Sequence, residues 1–130
     1  MQIDIIGVPI DLGADRRGVD MGPSAIRYAH LQQKLEEIGY DVQDEGNVEV
    51  PIAEMCKITN SKLKYIDCII PMSRRVAGAV ATSVQAKNFP LVLGGWNRSY
   101  FALYYPDSTG ESRQCGVLCS REEVQDQRFR

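Results

Sequence analysis

Gln2-Ile3-Asp4-Ile5-Ile6-Gly7-Val8 is apolar and β-branched with a single charge, and it stops at Pro9. A short run without polar alternation suits a strand buried on both faces of a parallel sheet. Proline cannot donate to a ladder, so the strand ends there. A parallel strand needs a crossover before its neighbour, and the next residues supply one. The loop from Ile10 to Gly22 carries Gly13, Gly18 and Gly22 with Asp11, Asp15 and Asp20. Pro23 stands where helices start. From there Ile26, Ala29 (or His30), Leu31, Leu35 and Ile38 recur at three to four residues, while Glu36 and Glu37 fall on the other face. Gly39 supplies a left-handed cap. The spacing predicts a helix over 23–38.

Tyr40-Asp41-Val42-Gln43-Asp44 alternates as a second, shorter strand, which Asn47–Pro51 extends past a turn at Glu45-Gly46. Residues 52–60 have no clear period. A helical pattern returns over 61–87 through Leu63, Ile66, Ile70, Val76 (with Ala77), Val80 and Val84. Pro71 inside it is expected to split or kink the helix. Phe89-Pro90-Leu91-Val92-Leu93-Gly94-Gly95 reads as a third buried strand. The order β-α-β-α-β predicts an α/β fold: a partial parallel sheet with flanking helices and right-handed crossovers. Ligands of such sheets sit beyond the carboxyl ends of the strands, here beyond Val8 and Leu93.

Composition divides the chain. All 11 Ile and all 5 Lys precede residue 96, whereas six of the ten aromatics and five of the ten Arg lie from residue 96 onward. Residues 1–95 therefore read as one unit and 96–130 as an unrelated, poorly specified tail. Tyr100–Tyr105 is apolar enough to pack, but 107–130 is polar and is expected to make few core contacts. The net charge of −2 leaves no electrostatic footprint for nucleic acid or anionic membrane. Apolar stretches are too short to span a bilayer, and the first residues carry no secretory pattern. The expected location is the cytoplasm, with no nucleic-acid or membrane partner.

The residues that could carry chemistry do not assemble into a known pattern. Gly7, Gly13, Gly18 and Gly22 match neither phosphate-binding glycine spacing, so positive-φ turns are the simpler role. Asp11, Asp15 and Asp20 offer hard oxygen ligands, but lack the alternate spacing of a calcium loop. His30, the only histidine, falls mid-helix beside the apolar stripe, which excludes any site needing two imidazoles from this chain. Cys56, Cys68, Cys115 and Cys119 form no C-x-x-C and are expected to stay thiols in a cytosolic chain. Asp44-Glu45 and Glu122-Glu123 read as solvated charge runs.

Ile5-Ile6-Gly7-Val8-Pro9, Arg16-Arg17-Gly18-Val19-Asp20-Met21-Gly22-Pro23 and Ala25-Ile26-Arg27-Tyr28-Ala29 together resemble the amino-terminal end of arginases, in the ureohydrolase family. Phe89–Gly95 resembles the third strand of that family. The resemblance covers 1–95, and the Gly-Val-Asp-Met-Gly-Pro loop points to arginase rather than agmatinase. It implies the amino-terminal part of a three-layer α/β/α fold, and hydrolysis of L-arginine to L-ornithine and urea. It also implies two manganese ions holding a bridging hydroxide, and homotrimers or hexamers. Two such ions lower the pKa of water and stabilise developing charge, and they need several Asp carboxylates and two His.

The resemblance fails after the glycine pair. Arginases continue Asp-His-Ser, where the His is the first metal ligand; here the residues are Trp96-Asn97-Arg98-Ser99. Indole is no metal ligand, and Arg adds positive charge where cations would sit. The later motifs Asp-Ala-His-x-Asp and Ser-x-Asp-x-Asp are absent from the chain. No residue is therefore assigned as catalytic, cofactor-binding or metal-ligating. A shift of reading frame after Gly95 would account for both the compositional break and the lost motif. The leading expectation is an arginase-like piece without activity of its own. The alternatives are a non-enzymatic module that joins full-length arginase subunits, and an unrelated α/β domain that binds a small anion.

Overall fold

The computed structural model describes residues 1–12, 18–58 and 65–94, together with the backbone of 116–119. Strand β1 (Gln2–Val8) is buried from Ile3 onward. Helices α1 (Gly22–Tyr28) and α2 (Leu31–Glu37) lead to β2 (Asp41–Asn47), and α3 (Ile66–Gln85) leads to β3 (Phe89–Gly94). A fourth strand, β4 (Gly116–Cys119), completes a sheet of order β2-β1-β3-β4. Every neighbouring pair is parallel.

The pleat of β1 distributes its side chains to the two layers. Ile6 and Val8 join Val92 of β3, Ile10 and Leu12 beyond β1, and Met72, Val76 and Val80 of α3 in one core cluster. Ile3 and Ile5 point the opposite way and are also buried. The same face holds Gly7, over which a side chain from α1 lies. At the amino end of the sheet, the buried carboxylate of Asp4 accepts from Asn88 Nδ2 at 3.0 and 3.2 Å and from Gln2 Nε2 at 3.0 Å. Asn88 precedes β3, so this contact helps set the β1–β3 register. A buried carboxylate without such donors would be costly.

The expected bounds of β1 coincide with the structure, and β3 starts at Phe89 as expected and runs to Gly94, with Gly95 outside the described residues. The expected single helix over 23–38 is not continuous. It breaks at Ala29–His30, where His30 adopts φ 62° and ψ 38° before α2 begins. His is among the residues that tolerate this region, and the break turns α2 back along β2. The stop after α2 is as expected: Gly39 has φ 99°, Gly39 N–H donates to Glu36 O and Tyr40 N–H to Leu35 O. That pair of bonds is a Schellman cap.

Two further expectations are corrected. Glu45-Gly46 is not a turn between two short strands; it is an irregularity inside β2, where the pairing shifts between Ile5↔Asp44 and Gly7↔Asn47. Gly46 permits it with φ 79°. Pro71 does not split α3, which runs from Ile66 to Gln85. It sits in the second turn, where the hydrogen bond that proline forfeits is one near the helix end. Within the tail, the described backbone of 116–119 forms β4, paired from Leu91↔Gly116 to Gly94↔Cys119. Tyr100–Tyr105 and the segment Trp96–Ser99 lie outside the described residues.

Candidate functional site

β1 has β2 on one side and β3 on the other, so the chain leaves it one way and returns the other. Such a reversal opens a crevice at the carboxyl ends of the strands, where open parallel sheets bind ligands. Val8 and Gly94, paired in register, mark its floor. The exit of β1 turns inward: Ile10 and Leu12 are 0% and 1% exposed, and Ile10 N–H donates to Val8 O at 2.9 Å. Asp11 between them is half-buried and engaged with a neighbour. Asp20 is exposed in a single 3₁₀ turn, Val19–Met21, ahead of the buried Gly22-Pro23 that begins α1. Asp15, Arg16 and Arg17 lie outside the described residues.

The described rim does not fit a dinuclear metal site. Among the described residues, no three His, Cys, Asp or Glu side chains converge as a metal would require. His30 is exposed at the α1–α2 break. With Ile5, Arg27, Leu31, Glu36 and Asp44 it lines an open cleft of about 390 Å³ on the helix face of the sheet. It is not at the strand ends.

What the structure does assemble near the crevice is a brace that sequence reasoning missed. Arg27 Nε donates to Asp44 Oδ2 at 2.7 Å and Nη2 to Asp44 Oδ1 at 2.9 Å. Arg27 Nη1 donates to Asn47 Oδ1 at 2.6 Å, and Gly46 N–H donates to Asp44 Oδ1 at 2.9 Å. Asp44 is thus half-buried and paired, not part of a solvated charge run. Burial pushes its carboxyl pKa up. The hydrogen bond from Arg27, the Gly46 amide and the Arg27 charge outweigh this and hold it below its ordinary value. Gly7 makes the brace possible: a Cβ there would overlap Asn47 Oδ1 and lie 2.9 Å from Arg27 Nη1. No spacing rule links Arg27 to Asp44, because they meet only once α1 lies against the sheet and β2 has paired with β1.

The cysteines also depart from expectation. Cys56 and Cys68 are joined by a disulfide with a Cα–Cα distance of 6.3 Å, so they are not free thiols. The 3₁₀ turn Ala53–Met55 delivers Cys56 to the first turn of α3. The spacing of 12 residues carries no familiar motif, and only the fold reveals the pair. Cys115 and the side chain of Cys119 lie outside the described residues.

This arrangement defines a parallel α/β protein with helices on both faces and a crevice at the strand ends. The chain belongs to the arginase family, whose profile matches residues 1–98. It is 46% identical over 93 residues to the arginase of Brevibacillus brevis and 47% identical over 94 residues to that of Bacillus caldovelox. Each alignment takes in 72% of this chain and 31% of the relative, so the chain spans about a third of the length of the relatives it matches. The crystal structure of the Bacillus caldovelox arginase superposes with a TM-score of 0.66, over 72% of this chain and 31% of that one. The arginase of Entamoeba histolytica, solved with L-ornithine, shares the fold at 17% identity with a TM-score of 0.63, over 76% of this chain and 33% of that one. No helix among the described residues is long and apolar enough to cross a membrane.

Proposed function

We propose that residues 1–95 are the amino-terminal unit of an arginase-type α/β/α domain and that 96–130 is a tail unrelated to it. In this reading the family reaction is the hydrolysis of L-arginine to L-ornithine and urea at two manganese ions, and this chain by itself does not perform it. One observation carries the proposal: Gly94-Gly95 is followed by Trp96-Asn97-Arg98-Ser99, and the sole imidazole of the chain is on His30. Without a metal pair, the pKa of water stays far above the near-neutral value that a bound metal gives it. Positioning by one crevice cannot offset that difference. No residue of the chain is proposed as catalytic or metal-ligating, and the cytoplasm is the proposed location.

The supporting test is urea release from L-arginine by the purified chain with added manganese. No turnover above buffer is expected. Turnover at any rate that depends on manganese and is lost in His30→Ala would defeat the proposal. A chain in which Trp96-Asn97-Arg98 is replaced by Asp-His-Ser is also expected to stay inactive, since the other ligands of the pair are missing.

The alternative, association with full-length subunits of the family as homo-oligomers, is favoured by one feature. Ile52, Met55 and Ile58 expose 56%, 79% and 54% of their surface within one short stretch. Co-expression with a full-length bacterial arginase and co-purification on a tag carried by this chain distinguish the two readings.

A further inference from the structure

We propose that Cys56 and Cys68 form a reversible thiol–disulfide couple that fastens the first turn of α3 to the rim of the crevice. The bonded sulfurs link two segments whose Cα atoms are 6.3 Å apart, within the span that a disulfide reaches. Cys68 is the third residue of α3. This helix carries the chain from the carboxyl side of β2 back to the amino end of β3, so its first turn stands at the strand ends. Both cysteines pack against the cluster that contains Ile10 and Leu12, the exit of β1. The bridge is therefore a fastening of the crevice wall.

Reversibility follows from placement. Both residues are half-buried, so a small thiol reaches the sulfurs while the backbone on either side stays anchored. The eight fully buried members of the core cluster include no cysteine. The two cysteines are 12 residues apart in sequence and neither belongs to a strand, so opening the bridge leaves the ladder of the sheet intact.

The closing reaction is exchange with a small-molecule disulfide. One cysteine thiolate attacks that disulfide, forming a mixed disulfide and expelling one small thiolate. The second cysteine thiolate then attacks the bonded protein sulfur and expels the other. The two cysteines lose two protons and two electrons, and the small disulfide takes up both as two thiols. Cys68 is the sulfur better placed to carry the negative charge, because it lies in the first turn of a 20-residue helix whose amino end favours anions.

The test uses the full chain with Cys115→Ser and Cys119→Ser, leaving only this couple. The protein is equilibrated over a series of reduced to oxidised glutathione ratios. Free thiols are counted by alkylation and mass, and amide exchange is followed in parallel. Both thiols are expected to disappear together in one transition. On reduction, the amides of Cys68 and Ile69, which donate to the Tyr65 carbonyl, are expected to exchange about tenfold faster or more, with β1 and β3 unchanged. Thiols that stay free at every ratio overturn the proposal. So does unchanged exchange at Cys68 and Ile69. Loss of protection in β1 and β3 overturns it too, since the bridge would then be holding the whole fold.

Discussion

Arg27 grips Asp44 with two parallel hydrogen bonds, Nε to Oδ2 at 2.7 Å and Nη2 to Oδ1 at 2.9 Å, and so ties the last turn of α1 to β2. The side chains are 25% and 28% exposed. That is enough enclosure to limit solvent screening and enough water contact to keep the desolvation cost modest. The fork geometry of guanidinium matches a carboxylate, and an ammonium cannot reproduce it.

Replacing Arg27 is therefore expected to loosen β2. Arg27→Ala should lower unfolding stability by about 1–2 kcal/mol, discounted for partial exposure. Arg27→Lys should recover less than half of the loss, because it restores charge without the fork. Urea unfolding followed by circular dichroism measures both. Equal stability of wild type and Arg27→Ala would show that the pair contributes nothing.

The same pair gives a pH dependence of known sign. Asp44 has a carboxyl pKa below its ordinary value of 3.8: burial raises it, and Arg27 and the Gly46 amide lower it by more. A depressed carboxylate contributes stability that is fully present above the unfolded value. That stability is lost as pH falls through the folded value. The stability gap between wild type and Asp44→Asn should therefore be constant near neutrality and close below about pH 4. Unfolding midpoints of both proteins across pH 2–7 check this. A gap that widens on acidification would reverse the assignment.

Gly7→Ala tests the brace from beneath. The new methyl would overlap Asn47 Oδ1, the acceptor of the bond from Arg27 Nη1. Asn47 must swing away, and the expected cost is about 1–3 kcal/mol. In an Asn47→Ala background the obstruction is gone, so Gly7→Ala should cost less than half as much there. A double-mutant cycle reads this coupling directly. Additive effects would mean that the methyl is accommodated some other way.

Within α3, burial should separate near neighbours. Met72 is 1% exposed and packs into the core cluster, whereas Ile70 is 44% exposed. Met72→Ala is expected to cost about 2–5 kcal/mol and Ile70→Ala about 0.5 kcal/mol or less. Denaturant midpoints rank the two. The reverse order would place the buried face of α3 elsewhere.

The buried strands were legible in the sequence, β1 at both ends and β3 at its start. β1 and β3 have apolar runs that no other element needs, with Pro9 and the glycine pair as stops. The phase of α3 was legible at Val76 and Val80, but Ile70 took the place in the stripe that belongs to Met72. What could not be read depends on contacts between distant residues. His30 adopts a left-handed conformation because α2 must turn along β2, not because of its own neighbours. Asp44 looked like a surface charge until α1 placed Arg27 over it. The Cys56–Cys68 pair needed two segments brought together by the fold. The strand-end crevice followed from topology alone, whereas the brace beside it rests on side chains that only tertiary structure unites.

The irregularity in β2 has a consequence for how molecules of this chain meet one another. Among the described strands β2 pairs with β1 alone and so stands at one edge of the sheet. An edge of free amides and carbonyls is a template on which another chain can add a strand, the first step toward aggregation. Here the shift near Gly46 spoils the repeat, and the Gly46 amide is drawn inward to Asp44 Oδ1. Asp41 and Glu45 place exposed negative charge along the same strand, so a second copy would meet like charge at close range. Removing Glu45 and straightening residue 46 would turn a guarded margin into an adhesive one.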